Sequence, residues 1–311
     1  MLAKVVDEIV GHSEKMCSVG SVIRRVAPTD SPVVILGESG TGKELVAQAI
    51  HRHSKRSAAS FIAINCGAVP DNLIESLLFG HQKGSFTGAT QSTAGRVSHA
   101  EGGSLFFDEI GDFPLALQPK LLRFIQDKLY ERVGDPNTRK ADNRIIAATN
   151  HDLDAMVEKG AFRVDLLYRL NVITLTLPPL RDRPEDIEDL ARGFVARYAA
   201  SYRLPARGLS AAALLLMKQY RWPGNIREMQ NVVERAVILC PNAEIGPEFL
   251  AIRRSADASA TVVPGAPFSL DELERLHIQS ILARSDTLDA AAKTLGIDSS
   301  TLYRKRKSYG V

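Results

Sequence analysis

The first half of the chain alternates short apolar runs with longer amphipathic stretches, and this alternation predicts an α/β fold. Each short run is apolar on both faces, as a strand of a parallel sheet is when helices cover both sides of the sheet. The buried strands are predicted at residues 32–36, 61–65, 104–108, 144–148 and 172–177. Together with the helical patterns between them, they indicate a parallel sheet flanked by helices.

The hydrophobic pattern changes beyond the last predicted strand. Residues 181–184 predict a turn, and from there to about residue 253 the pattern indicates helices without strands. The segment 222–225, which reads Trp-Pro-Gly-Asn, predicts a break between two of these helices. Residues 255–267 are small, contain Pro and Gly and show little periodicity, so they predict a flexible linker before three short helices.

These changes of pattern divide the chain into four predicted segments. They are an α/β subdomain at residues 1–178, an all-α lid subdomain at 179–253, a linker at 254–268 and an all-α helix-turn-helix domain at 269–311. A chain of 311 residues is too long for one ordinary core and suits two or three domains.

Composition excludes several classes of protein. Hydrophobic residues make up 45% and charged residues 24%, which is typical of a globular protein and not of a disordered one. No run approaches the roughly 18 apolar residues of a membrane helix, and the N-terminus lacks the apolar core of a signal peptide. The three cysteines are widely separated along the chain, which indicates reduced thiols and not a disulfide scaffold. We therefore expect a cytoplasmic protein with no membrane partner.

A glycine-rich segment follows the first predicted strand and opens a helix, as a phosphate-binding loop does. Its residues are Gly37, Glu38, Ser39, Gly40, Thr41, Gly42 and Lys43. Glycines let backbone N–H groups surround phosphates, and Lys43 can reach the β- and γ-phosphates. The general motif ends in Ser or Thr, whereas this chain has Glu44, whose carboxylate can serve Mg²⁺ directly or through water. ATP and Mg²⁺ are the predicted cofactors.

Two adjacent carboxylates end the third predicted strand, at a suitable distance after the phosphate-binding loop. This position puts Asp108 beside Mg²⁺ and Glu109 where it can orient and deprotonate the attacking water. The acidic pair therefore predicts ATP hydrolysis and not mere binding. Asn65, the polar end of the preceding strand, is expected to hydrogen-bond Glu109 and hold it away from the water.

The most diagnostic segment is a hexapeptide between the two nucleotide motifs. It reads Gly84, Ser85, Phe86, Thr87, Gly88 and Ala89. This segment, the 37–44 loop with its glutamate and the wider stretch 75–89 resemble the NtrC-type, or bacterial enhancer-binding, activators. Members of that family read Gly-Ala-Phe-Thr-Gly-Ala here, so Ser85 is a departure. The resemblance covers essentially the whole chain and implies an AAA+ ATPase that remodels RNA polymerase carrying sigma-54.

The resemblance implies further roles within the ATPase. Asn150 occupies the sensor I position, where a polar group responds to the γ-phosphate. Arg163 and Arg169 match the arginine fingers, which reach the nucleotide of a neighbouring subunit. Arg227, in the helical lid, matches sensor II. These roles imply a homo-oligomer. The expected states range from a dimer to a ring, and the ring is expected to be a hexamer.

The residue types of the hexapeptide also indicate that it contacts a partner. Phe86 and Thr87 lie between glycines, and an aromatic side chain at the tip of such a loop is costly unless it meets a partner. By resemblance, all six residues of the loop contact sigma-54 and move as ATP is turned over. The stretch 134–142 is expected to form a second surface loop nearby.

The C-terminal pattern predicts a helix-turn-helix of the Fis-like type that the family carries. Leu288, Ala291, Ala292 and Leu295 share one helical face, and Gly296 supplies the turn. Ser269 is expected to cap the helix before this motif, and Ser299 with Ser300 the helix after it, where Leu302 and Tyr309 face inward.

The last helix is locally basic in a chain whose net charge is only +3. Its predicted contacts to base edges and phosphates come from Ser300, Thr301, Tyr303, Arg304, Lys305, Arg306 and Lys307. The expected partner is double-stranded DNA at a palindromic upstream site.

Two other readings remain open from the sequence. One is a different AAA+ protein with a DNA-binding end, such as a replication initiator or branch-migration motor, which the hexapeptide argues against. The other is a repressor or sigma-70 regulator whose ATPase fold is only a scaffold, which intact Lys43, Asp108 and Glu109 argue against. Family members usually carry an upstream regulatory domain, often the phosphorylatable receiver of a two-component system, so this chain either works without one, under a separate inhibitor, or is part of a longer protein.

Overall fold

The structure is a computed structural model that describes residues 11–86, 88–204, 208–252, 269–282, 285 and 287–309. The predicted linker and Thr87 lie outside the described residues. The chain divides into two compact units, residues 1–251 and 252–311. Within the described parts of the chain, every helix is too short or too polar to cross a bilayer.

A five-stranded parallel sheet forms the centre of the first unit, in the order β2-β5-β8-β1-β9. Its strands are β1 (Val33–Leu36), β2 (Phe61–Asn65), β5 (Ser104–Asp108), β8 (Arg144–Thr149) and β9 (Ile173–Thr176). The predicted parallel sheet is therefore confirmed, and each predicted strand is present within one residue of its expected ends.

Side chains along the strands alternate between two buried clusters, one on each face of the sheet. On β5, Phe107 belongs to one cluster and Phe106 to the other. On β8, Ile145 and Ile146 divide in the same way. Burial on both faces explains why these strands read as continuous apolar runs.

Helices cover both faces of this sheet. They are α1 (Glu14–Val26), α2 (Lys43–Arg52), α3 (Asp71–Phe79), α4 (Arg96–His99), α5 (Gln118–Asp127), α6 (Leu153–Glu158) and α7 (Val164–Leu170). Two short antiparallel pairs emerge from the α/β body, β3 (Gly80–His81) with β4 (Thr93–Ala94) and β6 (Leu129–Tyr130) with β7 (Arg139–Lys140). The first pair brackets the diagnostic hexapeptide, so the loop is set on a small hairpin.

The lid follows the sheet and is mainly helical. It contains α8 (Asp186–Ser201), α9 (Ala211–Gln219) and α10 (Asn225–Leu239). The expectation of a lid without strands is wrong, because β10 (Gly208–Leu209) pairs in parallel with β11 (Glu244–Ile245). A strand of two residues is too short to show the alternation by which strands are recognised in a sequence.

The predicted break between two lid helices is confirmed. Trp222 is fully buried, and its indole N–H donates to the carbonyl oxygen of Met217 at 2.9 Å. Trp222 and Asn225 both have left-handed backbone conformations, with φ of 50° and 51°. Such conformations cost free energy for residues other than glycine, so packing and hydrogen bonds must hold this turn in place.

The second unit contains the three predicted helices, α11 (Leu270–Leu282), α12 (Leu288–Leu295) and α13 (Ser299–Tyr309). Ala291, Ala292 and Leu302 are buried together, as the helical spacing predicted. The turn between α12 and α13 places Gly296 in the left-handed region with φ of 69°, and Ser269 caps α11 through the N–H of Glu272.

One predicted cap in the second unit is wrong. Asp298, and not Ser299 or Ser300, caps α13, because its carboxylate accepts from the Ser300 N–H at 2.9 Å. The Ser299 hydroxyl instead donates to Asp289 at 2.6 Å. Asp and Ser are about equally good caps, so the sequence pattern could not distinguish neighbouring candidates.

Candidate functional site

The glycine-rich loop connects β1 to α2, as its sequence predicted. Gly42 precedes the first turn of α2 with φ of 100°, and Gly40 has φ of 78°. A Cβ atom at Gly40 would collide with the carbonyl oxygen of Gly224 from the lid. Only glycine therefore fits where the loop touches the lid. The Thr41 hydroxyl is buried and donates to the Glu38 carbonyl oxygen at 2.8 Å, which stabilises the curve of the loop.

Lys43 is the cation of this loop, and its side chain is only 6% exposed. Its ammonium donates to the Gly37 carbonyl oxygen at 2.9 Å and lies 3.1 Å from Oε1 of Glu109. The loop curvature and the carboxylate thus hold a desolvated ammonium where it faces the acidic pair.

Glu109 is held from two sides. Its Oε2 accepts a hydrogen bond from the backbone N–H of Asn150 at 3.0 Å, while its Oε1 faces Lys43. Its backbone is left-handed, with φ of 50° and ψ of 55°. Strain of this kind at a non-glycine residue is typical of functional sites. It can point a side chain in a direction that the ordinary backbone at a strand end would not allow.

Asp108 and Asn65 occupy equivalent positions at the carboxyl ends of β5 and β2, which are paired in register. Asn65 Nδ2 donates to Asp108 Oδ2 at 3.3 Å. The expected bond between Asn65 and Glu109 is therefore not the contact in this structure. The register explains the difference: Asn65 lies opposite Asp108, and the left-handed turn directs Glu109 toward Lys43 and Asn150.

Burial raises the pKa of the Asp108 carboxyl, and the nearby charge of Glu109 raises it further. Glu44, at the start of α2, lines the same cleft as this pair. These carboxylates offer the hard oxygen ligands that Mg²⁺ prefers. Among the described residues no three His, Cys, Asp or Glu side chains form a closed metal site. The donor set fits Mg²⁺, which commonly uses one or two carboxylates together with phosphate and water oxygens.

The lid contacts the phosphate-binding loop through side chains that the sequence patterns did not single out. Asn225, fully buried at the start of α10, accepts from the Leu180 N–H at 2.8 Å and donates to the Ser39 carbonyl oxygen at 3.0 Å and to Glu38 Oε2 at 3.1 Å. The only sequence signal was the Trp-Pro-Gly-Asn break, which predicted a turn and no contact.

A second connection joins Glu38 to the turn after the sheet. Arg181 forms a bidentate ion pair with the Glu38 carboxylate, with distances of 2.6 and 2.8 Å. The hydrogen bonds from Arg181 and then Asn225 lower the pKa of Glu38 to about 2. Glu38 was predicted to bind ATP, and in the structure its side chain joins the loop to the lid. Arg183 adds a buried contact by donating to the Thr41 carbonyl oxygen at 3.2 Å.

A cleft of about 280 Å³ lies between the loop, the acidic pair and the lid. Predicted residues that line it are Ser39, Gly40, Gly42, Lys43, Glu44, Asp108, Glu109 and Arg227, and further lid residues are Arg197, Ile226 and Gln230. Arg227 donates to the Ser39 hydroxyl at 3.1 Å. Gly37 and Asn150 line an adjacent cavity of about 380 Å³ at the edge of the sheet.

Arg163 and Arg169 are not among the described residues that line this cleft. Both side chains are exposed, near the ends of α7, and Arg163 pairs with Asp165 at 2.7 Å. Tyr168, on the same helix, is 76% exposed. The structure therefore places the two arginines on an exposed surface and not in the lining of their own chain's cleft.

The hexapeptide projects from the β3–β4 hairpin and is partly closed on itself. The Gly84 N–H donates to the Ala89 carbonyl oxygen at 2.8 Å, and Ala89 is buried while Gly88 is exposed. Phe86 is 40% exposed, and its ring centre lies 5.0 Å from that of His81 in an edge-to-face arrangement. The aromatic thus rests on the base of the loop without entering the core.

The segment 134–142 lies beside the hexapeptide, as predicted, but it is not a loop throughout, because residues 139–140 form strand β7. The Gln82 N–H donates to the Val133 carbonyl oxygen at 2.9 Å. A Cβ atom at Gly134 would lie 2.6 Å from the Cβ atom of Ser85. The Ser85 hydroxyl turns inward and donates to the Gln82 carbonyl oxygen at 2.8 Å. The serine at this position therefore binds the loop's own backbone.

The predicted DNA-contacting side chains differ in exposure along α13. The exposed ones are Ser300, Tyr303, Arg304, Arg306 and Lys307, and Thr301 is half-buried. Lys305 differs from its neighbours because its ammonium lies 2.7 Å from Glu274 on α11. The Tyr309 hydroxyl, at the end of α13, lies within hydrogen-bond distance of two carboxylates of α11, Asp271 at 2.8 Å and Glu274 at 3.0 Å.

Three family models match the chain in succession. The sigma-54 interaction domain matches residues 9–176, the AAA+ ATPase lid domain matches 181–262, and the bacterial regulatory protein model of the Fis family matches 269–309. The first alone covers more than half of the chain.

Individual transcriptional regulators are also similar to this chain over nearly all of its residues. The alginate biosynthesis transcriptional regulatory protein AlgB of Pseudomonas aeruginosa is 58% identical over 305 residues, which are 98% of this chain and 68% of that protein. Regulatory protein AtoC of Escherichia coli is 43% identical over 312 residues, 97% of this chain and 68% of that protein.

Solved structures also resemble the chain. NtrX from Brucella abortus in complex with ATP has a TM-score of 0.73 and 33% identity, over 97% of this chain and 69% of that one. A RuvB mutant of Thermotoga maritima has a TM-score of 0.51 at 18% identity over 96% of this chain and 86% of that one, a likeness that shows the fold alone.

Proposed function

Because the chain belongs to the NtrC-type family of sigma-54-dependent activators, we propose that it binds upstream DNA and uses ATP hydrolysis to convert sigma-54 RNA polymerase into the open complex. The chain is an ATP-binding AAA+ ATPase and a transcription activator with a Fis-type helix-turn-helix. The proposal has three further parts, which are the chemistry of ATP hydrolysis, its transmission to the polymerase and the binding of DNA near a promoter.

The ATP site of the proposal is the cleft between the loop and the lid. Lys43 leaves Glu109 and binds the β- and γ-phosphates, because phosphate oxygens compete for the same ammonium. Asp108 would hold Mg²⁺, with Glu44 as a further ligand directly or through water, and the bound ion would neutralise charge on the phosphates. Glu109, once released, orients the water and accepts its proton. Asn150 and Arg227 respond to the γ-phosphate.

The observation that carries the transmission step is the hydrogen bond between Asn65 and Asp108. Asn65 Oδ1 also accepts from the Ala68 N–H at 3.0 Å, in the short turn that precedes α3. α3 runs directly into the hairpin that carries the hexapeptide. A change of ligands at Asp108 therefore acts on the first residue of the segment that ends in the proposed sigma-54 contact, Gly84 to Ala89.

Arg163 and Arg169 complete the site from a second copy of the chain. Their exposed position on α7, outside the cleft of their own chain, supports action on a neighbour's nucleotide. A guanidinium at this point stabilises the negative charge that develops on the transferred phosphoryl group. We place the subunits in a homo-oligomeric ring, a hexamer, in which each interface holds one cleft and one pair of arginines.

DNA binding falls to the second unit. The exposed side chains of α13 fit a recognition helix that reads base edges, with basic residues on the flanking phosphates. Two such units related by a two-fold axis would match a palindromic upstream site, because the symmetry of a dimer is mirrored in its operator.

Promoter opening in a purified system tests this proposal. Sigma-54 polymerase, a sigma-54 promoter with an upstream site and the protein are incubated with ATP or with a non-hydrolysable analogue. We expect single-stranded promoter DNA, detected by permanganate, with ATP only. Protein that hydrolyses ATP without opening any sigma-54 promoter, while changing transcription by sigma-70 polymerase, would contradict the proposal.

A further inference from the structure

The nucleotide cleft contains a second lid arginine beside the sensor II candidate. Arg197 lies on α8 and lines the same cleft as Lys43, Asp108 and Arg227. α8 packs along α10, which carries Arg227, so two adjacent lid helices each present a guanidinium to this cleft. The family motifs in the sequence give Arg197 no role.

The Arg197 guanidinium is oriented by two aromatic side chains of its own helix. Its Cζ lies 5.1 Å from the centre of the Phe194 ring and 4.9 Å from that of Tyr198. Its Nη2 also donates to the Tyr198 hydroxyl at 3.0 Å. Cation–π contacts and a hydrogen bond restrict a side chain that would otherwise be free in solvent. The group is therefore positioned at the cleft before any ligand arrives.

The charge of Arg197 is not neutralised by a carboxylate among the described residues. The contrast with Arg192 on the same helix is direct, since the Arg192 guanidinium lies 2.9 Å from Glu188. Arg197 is exposed and keeps its remaining N–H donors available. An oriented and unpaired guanidinium that faces a cleft is suited to bind an anion.

We propose that Arg197 binds the terminal phosphates of ATP and is a second lid contact for the triphosphate. The inference rests on the assignment of this cleft as the ATP site. The rest of the cleft wall favours the phosphates over the base, because Lys43, Asp108 and Glu109 are the groups suited to phosphates and Mg²⁺. Bidentate pairing of a guanidinium with phosphate oxygens adds direction to the attraction.

The contact has a consequence for nucleotide discrimination. ATP brings a γ-phosphate to the acidic pair, and ADP does not, so a contact to the terminal phosphates favours ATP over ADP. Because α8 and α10 pack on each other, arginines from both helices pull the lid toward the same ligand. Arg197 thus makes lid closure depend on the triphosphate.

Titrations of three variants test the assignment. Arg197→Ala removes the group, Arg197→Lys keeps the charge without the forked donors, and Arg192→Ala is the matched control on the same helix. Each full-length protein is titrated with fluorescent ADP and with a fluorescent non-hydrolysable ATP analogue. The kcat and KM for ATP and the unfolding temperature without nucleotide are measured alongside.

We expect Arg197→Ala to weaken binding of the ATP analogue and to raise KM about tenfold, with ADP affinity and kcat changed less than about threefold. Arg197→Lys should recover part of the loss, and Arg192→Ala should behave as wild type. Equal losses for ATP and ADP with a lower unfolding temperature would show that Arg197 only supports the lid, and unchanged ATP affinity would also overturn the proposal. If Lys43→Ala retained ATP affinity, the site assignment itself would be wrong.

Discussion

The ammonium of Lys43 lies 3.1 Å from the carboxylate of Glu109, so the cation of the phosphate-binding loop and the proposed general base form an ion pair. The side chain of Lys43 is 6% exposed and that of Glu109 is 20% exposed, so water screens the pair only partly. In the proposed mechanism, a nucleotide that binds Lys43 through its phosphates releases one oxygen of Glu109, and this contact couples ATP binding to activation of the base.

The two members of the pair should fail in different ways when they are replaced. Lys43→Ala should weaken ATP binding about a hundredfold or more, because it removes a largely buried ammonium that makes charge-assisted hydrogen bonds. Glu109→Gln should bind ATP with nearly unchanged affinity and hydrolyse it about 10²- to 10⁴-fold more slowly, since an amide cannot accept the proton of water. Fluorescent nucleotide titration and phosphate release measure the two properties separately. Comparable ATP affinity for Lys43→Ala and wild type would remove the cleft from consideration as the ATP site.

ATPase activity per subunit should rise with protein concentration, because Arg163 and Arg169 are exposed and are not among the described residues that line the cleft of their own chain. Arg169→Ala should bind ATP and lose about three orders of magnitude in kcat, the range of a lost arginine finger. Mixing it with Lys43→Ala protein should restore part of the activity, since some interfaces then combine an intact cleft with an intact arginine. Rates that are proportional to concentration from monomer to oligomer, with no rescue on mixing, would exclude action between subunits.

Asn225 should prove to be a structural connection between the lid and the phosphate-binding loop. Asn225→Ala leaves the Leu180 N–H and the Ser39 carbonyl oxygen without this partner in a buried place. We expect a loss of about 1–3 kcal/mol in the free energy of unfolding, together with weaker ATP binding. Asn231→Ala, an exposed position on the same helix, is the control. Denaturant unfolding measures the effect, and equal stability of both variants would contradict it.

Basic residues of the last helix should contribute unequally to DNA binding. Lys305 is paired with Glu274, whereas Lys307 is exposed and has no carboxylate within ion-pair distance among the described residues. Lys307→Ala should therefore reduce the slope of log K against log salt by about 1, and Lys305→Ala by clearly less. Binding of a duplex with the upstream site at several salt concentrations checks this. A larger effect for Lys305 would mean that its ion pair opens on DNA.

The parts of this molecule that follow from local pattern were predictable from the sequence. The central strands β1, β5 and β8 are buried on both faces, so their apolar runs predicted their positions and their parallel arrangement. The loop at 37–43 and the acids at 108–109 were recognisable because phosphate chemistry demands particular residue types directly after strands. Ala291, Ala292 and Leu302 were identified as core by helical spacing.

The parts that depend on contacts between distant segments were not predictable. Asn65 bonds Asp108 and not Glu109, because the register of two strands and the left-handed turn at Glu109 decide the partner. The Glu38–Arg181 pair joins residues 143 positions apart in the chain. No spacing rule connects such residues, and only the docking of the lid on the loop brings them together.

The exposed aromatic of the hexapeptide should serve the transcription step and not the ATPase. Phe86 packs against His81 at the base of its loop and is not among the described residues that line the nucleotide cleft. Ser85→Ala should be nearly silent in promoter opening, since the hydroxyl binds only the carbonyl oxygen of Gln82. Phe86→Ala and Thr87→Ala should keep ATP hydrolysis within about twofold and retain operator binding, because surface changes away from a site seldom disturb it.

The role of the hexapeptide in promoter opening is tested most directly when promoter opening and phosphate release are measured in the same reaction. The proteins compared are wild type, Ser85→Ala and Phe86→Ala. The reaction contains sigma-54 polymerase, a promoter with its upstream site and ATP. We expect Phe86→Ala to release phosphate at close to the wild-type rate and to open no promoters, while Ser85→Ala should release phosphate and open promoters as wild type does. If Phe86→Ala opened promoters as wild type does, the loop would not be the contact through which ATP hydrolysis acts on the polymerase.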